Sequence, residues 1–124
     1  MDYEVHAKEV LRLVSLFEDI FTRSSIYCDA EIRVGDVYFK WTARGRQLQY
    51  RGEHSDRWFH AARVFQMEIP ALLIKNIEEL YRACLAEQSR VANVLSEASE
   101  TGSSFADMLL LELNEEERNH AGNE

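Results

Sequence analysis

The sequence holds one proline, five glycines and two cysteines in 124 residues. With Pro70 as its sole proline it has no proline-rich linker, and no Gly- or Ser-rich stretch separates one half from the other. Cys28 and Cys84 form no CxxC pair and are too few for a disulfide framework. Both sit inside apolar periodic patterns and read as buried thiols of a reducing compartment, with a Cys28 to Cys84 disulfide as the alternative. No apolar run approaches the roughly 20 residues that span a bilayer. The opening MDYEVHAKEV has neither the basic nor the unbroken apolar region of a secretory signal. Together these absences predict a soluble, cytoplasmic protein with no membrane partner.

Motifs that carry chemistry are missing as well. There is no GxSxG, no phosphate loop, no GxGxxG and no HExxH. His6, His54, His60 and His120 lack metal-ligand spacing, and the cluster Glu53, His54, Asp56 and His60 suits a loop leading into a further element. The expectation is a non-enzyme with no metal and no cofactor.

What the chain does have is enough apolar material for a core. At 46% hydrophobic residues it can bury about 65% of the surface its unfolded form exposes. Its net charge of −8 is unevenly spread: residues 1–22 sum to −3, residues 23–66 to +3 and residues 67–124 to −8. A basic middle third inside an acidic protein matters because the field at a site depends on nearby charges more than on the total.

Hydrophobic periodicity orders the elements. Val10, Leu13, Val14, Phe17, Ile20 and Phe21 recur at three and four, the stripe of an amphipathic helix, with Glu4, Lys8, Asp19 and Arg23 on the other side. The period then becomes two. Ile26, Cys28, Ala30, Ile32 and Val34 alternate with polar residues, as do Val37, Phe39, Trp41 and Ala43, and then Leu48 and Tyr50. Two-residue turns at Gly35-Asp36 and Gly45-Arg46 would set Val34 against Val37, Ile32 against Phe39, Ala30 against Trp41, then Ala43 against Leu48 and Trp41 against Tyr50. This predicts a three-stranded antiparallel meander with one apolar face.

Residues 56–66 fit a helix capped by Ser55, while Phe65, Met67 and Ile69 also fit a strand ending at Pro70; the helix is favoured, with a break at Ile69. From Pro70 to about Ser99, Leu73, Ile77, Leu80, Cys84, Val91, Val94 and Ala98 keep a 4-3 spacing interrupted at Glu87. This is a long helix with a heptad seam, about 43 Å at 1.5 Å per residue. Gly102 ends it, and a capping box of Ser104 and Asp107 starts a short terminal helix carrying Phe105, Met108, Leu109 and Leu113. The fold class is therefore α+β: an N-terminal helix, a three-stranded β-meander, a long helix and a short terminal helix packed on one sheet face. One domain covers residues 1–118, followed by a frayed acidic tail, 119–124.

Two candidate surfaces emerge. The outer sheet face gathers Tyr27, Arg33, Tyr38, Lys40, Arg44 and Arg51, residues that can hold an anion or an acidic partner by bidentate hydrogen bonds and stacking. Nucleic acid is disfavoured there, because Asp29 and Glu31 dilute the patch and the overall balance is negative. The helical seam, with Leu73, Ile77, Leu80, Tyr81, Val91, Val94 and Leu95, suits assembly with further copies of the chain. The expected function is a non-enzymatic, homo-oligomeric interaction protein that occupies a surface of another protein, as an inhibitor, adaptor or chaperone. Phage-encoded inhibitors of host machinery and secretion chaperones share its size, charge and topology, by analogy alone. The alternative is a module that holds an anionic small molecule, such as a nucleotide, on the Arg/Tyr face or at a subunit boundary.

Overall fold

The computed structural model describes residues 2–63 and 65–122. The remaining four positions, and with them one residue of the expected 56–66 element and the end of the expected 119–124 tail, lie outside the described residues. The order is α1 (Asp2–Arg23), β1 (Ala30–Val34), β2 (Val37–Thr42), β3 (Gln47–Gly52), β4 (Phe59–His60), α2 (Glu68–Lys75) and α3 (Ile77–Gly122). The strands form one antiparallel sheet in chain order, so the α+β class holds, with four strands where three were expected. The chain gathers into two units, residues 1–89 and residues 90–124.

The stripe of α1 buries Val14 and Phe21 and half-buries Val10, Leu13 and Phe17. Its last turn ends in a Schellman arrangement: Ile26 N donates to Phe21 O at 3.2 Å and Ser25 N to Thr22 O at 3.2 Å. The residue in the left-handed conformation is Ser25, at φ 59°, where glycine is usual. Ile26 and Phe21, the two ends of that motif, are both buried.

The first hairpin has the expected register, Val34 opposite Val37 and Ala30 opposite Trp41, with positive φ at Gly35 as the first turn residue of a type II′ loop. The first strand is shorter than its alternation suggested. Ile26 through Asp29 bond elsewhere: Ile26 O accepts from Trp41 Nε1 at 3.2 Å, Tyr27 N donates to Gln88 Oε1 at 2.7 Å, and Asp29 Oδ1 accepts from Ala43 N at 2.8 Å. The second hairpin differs from expectation by two residues. Trp41 faces Leu48 and Phe39 faces Tyr50, because the turn uses four residues, Ala43 to Arg46, closed by Arg46 N to Ala43 O at 3.3 Å with φ 53° at Arg46. A shift of two preserves the faces, so Leu48 still enters the core.

The helix expected over 56–66 is replaced by β4, which pairs with β3 as Phe59 to Tyr50 and His60 to Gln49. The helical spacing was misleading because its members go to different places. Ala61 is fully buried, Trp58 lies half-buried under cationic side chains, and Phe65 is fully exposed. Ala61 N donates to Leu48 O at 2.9 Å, which ties the end of β4 to β3.

The long helix expected from Pro70 is two helices. Asn76 parts them: its Nδ2 donates to Leu72 O at 2.8 Å, its N to Leu73 O at 3.0 Å, and its O accepts from Leu80 N at 3.2 Å. One side chain thus closes α2 and its backbone opens α3, the competition with the helix ladder that asparagine favours. Pro70 sits buried in the first turn of α2, which already includes Ile69, so no break falls there. Gly102 does not end α3, and no separate helix starts at Ser104; α3 runs to Gly122. A mid-helix glycine costs about 1 kcal/mol, which the strong helix formers from Phe105 to Arg118 outweigh.

The core of residues 1–89 centres on Trp41, Phe39 and Leu48 from the sheet, Val14 and Phe21 from α1, Leu73 from α2, and Leu80 and Cys84 from α3. Phe21 packs against Trp41 at 5.1 Å and against Tyr81 at 5.2 Å between ring centroids. Ser25→Gly should stabilise the protein by about 0.5–1 kcal/mol. It relieves a left-handed serine at the cost of extra unfolded-chain entropy, and its carbonyl bond from Gln88 is backbone and survives. Thermal unfolding followed by circular dichroism should rise by about 2–4 °C.

Candidate functional site

The strand register sets Arg33 opposite Tyr38 and Tyr38 opposite Arg51, so the three share the outer face. The Arg33 guanidinium lies 5.2 Å from the Tyr38 ring centre and that of Arg51 4.2 Å from it. Arg51 also lies 5.3 Å from the Trp58 ring, and Lys40 Nζ 4.4 Å from it. The result is a ladder of alternating cations and aromatic rings, Arg33, Tyr38, Arg51, Trp58 and Lys40. Trp58 arrives there because the pairing of Phe59 with Tyr50 places the preceding residue beside Arg51. Periodicity read as helical concealed it. The signal that could have found it was the aromatic pair Trp58-Phe59 behind the turn residues after Gly52, which suits a fourth strand.

The donors of this ladder point back into the protein. Arg33 donates to Gly35 O at 2.8 Å, to Tyr38 Oη at 3.1 Å and to Glu53 Oε1 at 2.8 Å. Arg51 donates to Ser55 O at 2.8 Å and to Gly52 O at 3.4 Å. Each exposed cation–π contact contributes about 0.5–1 kcal/mol. Together with these bonds they fasten the 53–58 segment to the sheet, which uses up most of the anion-binding capacity of Arg33 and Arg51.

Arg44 and Tyr27 lie apart from this ladder. With the exposed Arg46 they line a polar cleft of about 300 Å³ bounded by Thr22, Ile26, Trp41 and Ala43. Arg46 was not among the expected site residues; its place follows from the four-residue turn, which alternation does not encode.

A carboxylate and an imidazole meet at the β4 edge. Glu18 Oε2 accepts Leu48 N–H at 2.8 Å and lies 3.0 Å from His60 Nε2. Here β4 has ended, and the carboxylate of α1 takes the strand donor that a longer β4 would have taken. Glu18 is thereby committed to the fold. Burial pushes the Cys84 thiol up to about 12, with the Asp29 carboxylate and Cys28 adding to the shift. Cys84 is therefore a neutral thiol at physiological pH and no nucleophile. Both cysteines are free, and Cys28 is half-buried rather than buried. Among the described residues no group of three or more His, Cys, Asp or Glu could hold a metal ion, and no helix is long and apolar enough to cross a membrane.

The seam residues divide. Leu73 and Leu80 are fully buried in the core of residues 1–89, and Ile77 and Tyr81 pack against it, so their own chain covers them. Val91 is half-buried, while Val94 and Leu95 are exposed. In the second unit, residues 90–122 are helical throughout, about 50 Å at 1.5 Å per residue. Val94, Leu95, Phe105, Met108, Leu109, Leu110, Leu111 and Leu113 are each 40–65% exposed there. Between Phe105 and Leu113 the apolar residues run most of the way round the helix, a composition otherwise found where a helix is enclosed.

Three results should follow. Glu18→Ala leaves Leu48 N–H without its acceptor and should cost about 1–3 kcal/mol in denaturant unfolding, with Glu18→Gln costing less because it keeps an acceptor oxygen. At pH 8 a thiol reagent should modify Cys28 in the native protein and Cys84 only after denaturation. Because the folded-state Cys84 value lies above the ordinary 9.0, its contribution to stability is complete below pH 9 and is lost as pH rises toward 12.

No family model, no curated protein and no solved structure matches the chain.

Proposed function

We propose that the protein is a non-enzymatic, homo-oligomeric interaction protein, assembled through residues 91–113 and acting by occupying a surface of another protein. The observation that carries this reading is the run of eight large apolar side chains on residues 94–113, each 40–65% exposed. Monomeric proteins rarely leave a contiguous apolar patch beyond a few hundred Å² in water. Covering the exposed half of such a side chain contributes about 1 kcal/mol. Two copies covering each other gain that on both chains, which is comparable with the roughly 4–15 kcal/mol lost on association. The acidic residues Glu112, Glu115, Glu116 and Glu117 give the far end of the helix a charge that suits a basic partner surface.

One observation favours a second reading. Arg44 and Arg46 are both exposed on a cleft with Tyr27, an arrangement that fits an anionic small molecule such as a nucleotide. Thermal shift across a panel of nucleotides and phosphates would show stabilisation that Arg44→Ala removes. A flat response throughout excludes it.

Light scattering tests the leading reading. The mass should be twice 14.4 kDa or a higher integral multiple of it at about 100 μM chain. A double variant, Leu95→Glu with Leu109→Glu, should return it to the monomer without lowering the unfolding temperature of residues 1–89, since both positions are exposed. A mass of 14.4 kDa for the natural chain at that concentration overturns the reading.

A further inference from the structure

We propose that two copies pair antiparallel along residues 94–119, with Phe105 of each packed against Met108 of the other. This rests on the self-association argued above and specifies its geometry. The 4-3 spacing of the seam continues in phase through Gly102: Val91, Val94, Ala98, Thr101, Phe105, Met108, Glu112 and Glu115. Its C-terminal end therefore carries two carboxylates among the very positions that face a partner helix.

Orientation decides what those carboxylates meet. In a parallel pair in register, equivalent positions oppose, so Glu112 meets Glu112 and Glu115 meets Glu115, with Glu116 and Glu117 alongside. Like charges would be stacked level by level where water is partly excluded. In an antiparallel pair centred between residues 106 and 107, the two kinds of seam position oppose each other. Glu112 then faces Thr101 of the second copy, whose hydroxyl can donate to it, and Glu115 faces Ala98.

The flanks of the seam agree with this register. Glu97 lies across from Arg118 of the second copy, and symmetry supplies that ion pair twice. Leu109 lies across from Gly102, which has no side chain to crowd it. Sliding the second copy by one heptad sets Glu112 against Val94 in one direction and against Met108 in the other, burying a carboxylate on an apolar side chain. Of these registers this one gives Glu112 a hydroxyl and Glu97 an arginine, and it leaves Glu115 beside the small Ala98 near the end of the pair.

Spin labels on the outer face distinguish the arrangements. In a Cys28→Ser background, with Cys84 buried and unreactive, labels are placed singly at Ser96→Cys or Ser103→Cys. In the antiparallel pair the two labels at position 96 are offset along the axis by 21 residues, about 32 Å, and those at position 103 by 7 residues, about 10 Å. Pulsed dipolar spectroscopy should therefore give a clearly longer distance for position 96 than for 103. Equal distances at both overturn the antiparallel arrangement while leaving self-association standing. No coupling between copies, together with a mass of 14.4 kDa, overturns both. A charge swap gives a second readout. Glu97→Arg alone should weaken the dimer by about fivefold in Kd, and adding Arg118→Glu should restore it. A parallel pair would show no such restoration, because positions 97 and 118 do not meet in it.

Discussion

The corner where Phe21, Trp41 and Tyr81 meet is the contact on which the rest of residues 1–89 depends. Trp41 is fully buried, and its one polar atom, Nε1, donates to Ile26 O, the carbonyl just past the end of α1. That bond turns the chain from helix to strand and lets a large ring be buried without an unpaired donor. Phe21 touches the sheet through Trp41 and α3 through Tyr81, so the end of α1, the middle of the sheet and the start of α3 are positioned by one cluster. Gln88 completes the corner from α3, accepting from Tyr27 N and donating to Ser25 O. Backbone that has left α1 but not yet entered β1 therefore still has its hydrogen bonds met.

The same heptad spacing serves two ends. From Leu73 to Cys84 the seam faces its own core, where leucine, isoleucine and cysteine are covered by the sheet and α1. Beyond Val91 the spacing continues, yet exposure on all sides replaces burial. A periodic apolar pattern predicts that a stripe will be covered, without saying by what.

What could be read from the residues follows the range of the interactions involved. The first hairpin was legible down to its register because Gly35 closes a two-residue loop between strands that alternate cleanly. The second was legible in its faces and not in its register, since Arg46 adopts a positive φ next to a glycine that does not. Both Asn76, which divides α2 from α3, and Ser25, which ends α1, act by local bonds that compete with stronger helix formers nearby. Propensity alone underrates them. Trp58 needed the tertiary pairing of β4 to reach Arg51, and the one local hint, the aromatic pair Trp58-Phe59 after the turn residues, competes with a helical spacing over the same stretch. Of the expected face residues, Arg33, Tyr38, Lys40 and Arg51 do come together, while Tyr27 and Arg44 belong to the cleft of Arg46.

Charge placement, more than charge balance, decides what each surface can do. The excess of positive side chains in residues 23–66 suggests an anion-binding sheet face, yet three of those cations are spent on Tyr38 and Trp58, and Arg33 is also held by Glu53. Arg44 and Arg46 stand instead exposed on a turn at the end of the sheet, where both line the cleft with Tyr27. The negative charge of the long helix is concentrated in its last third, partly on the apolar seam itself. Carboxylates on a seam weaken any pairing that sets them together and leave others untouched, so their placement bears on specificity more than on affinity.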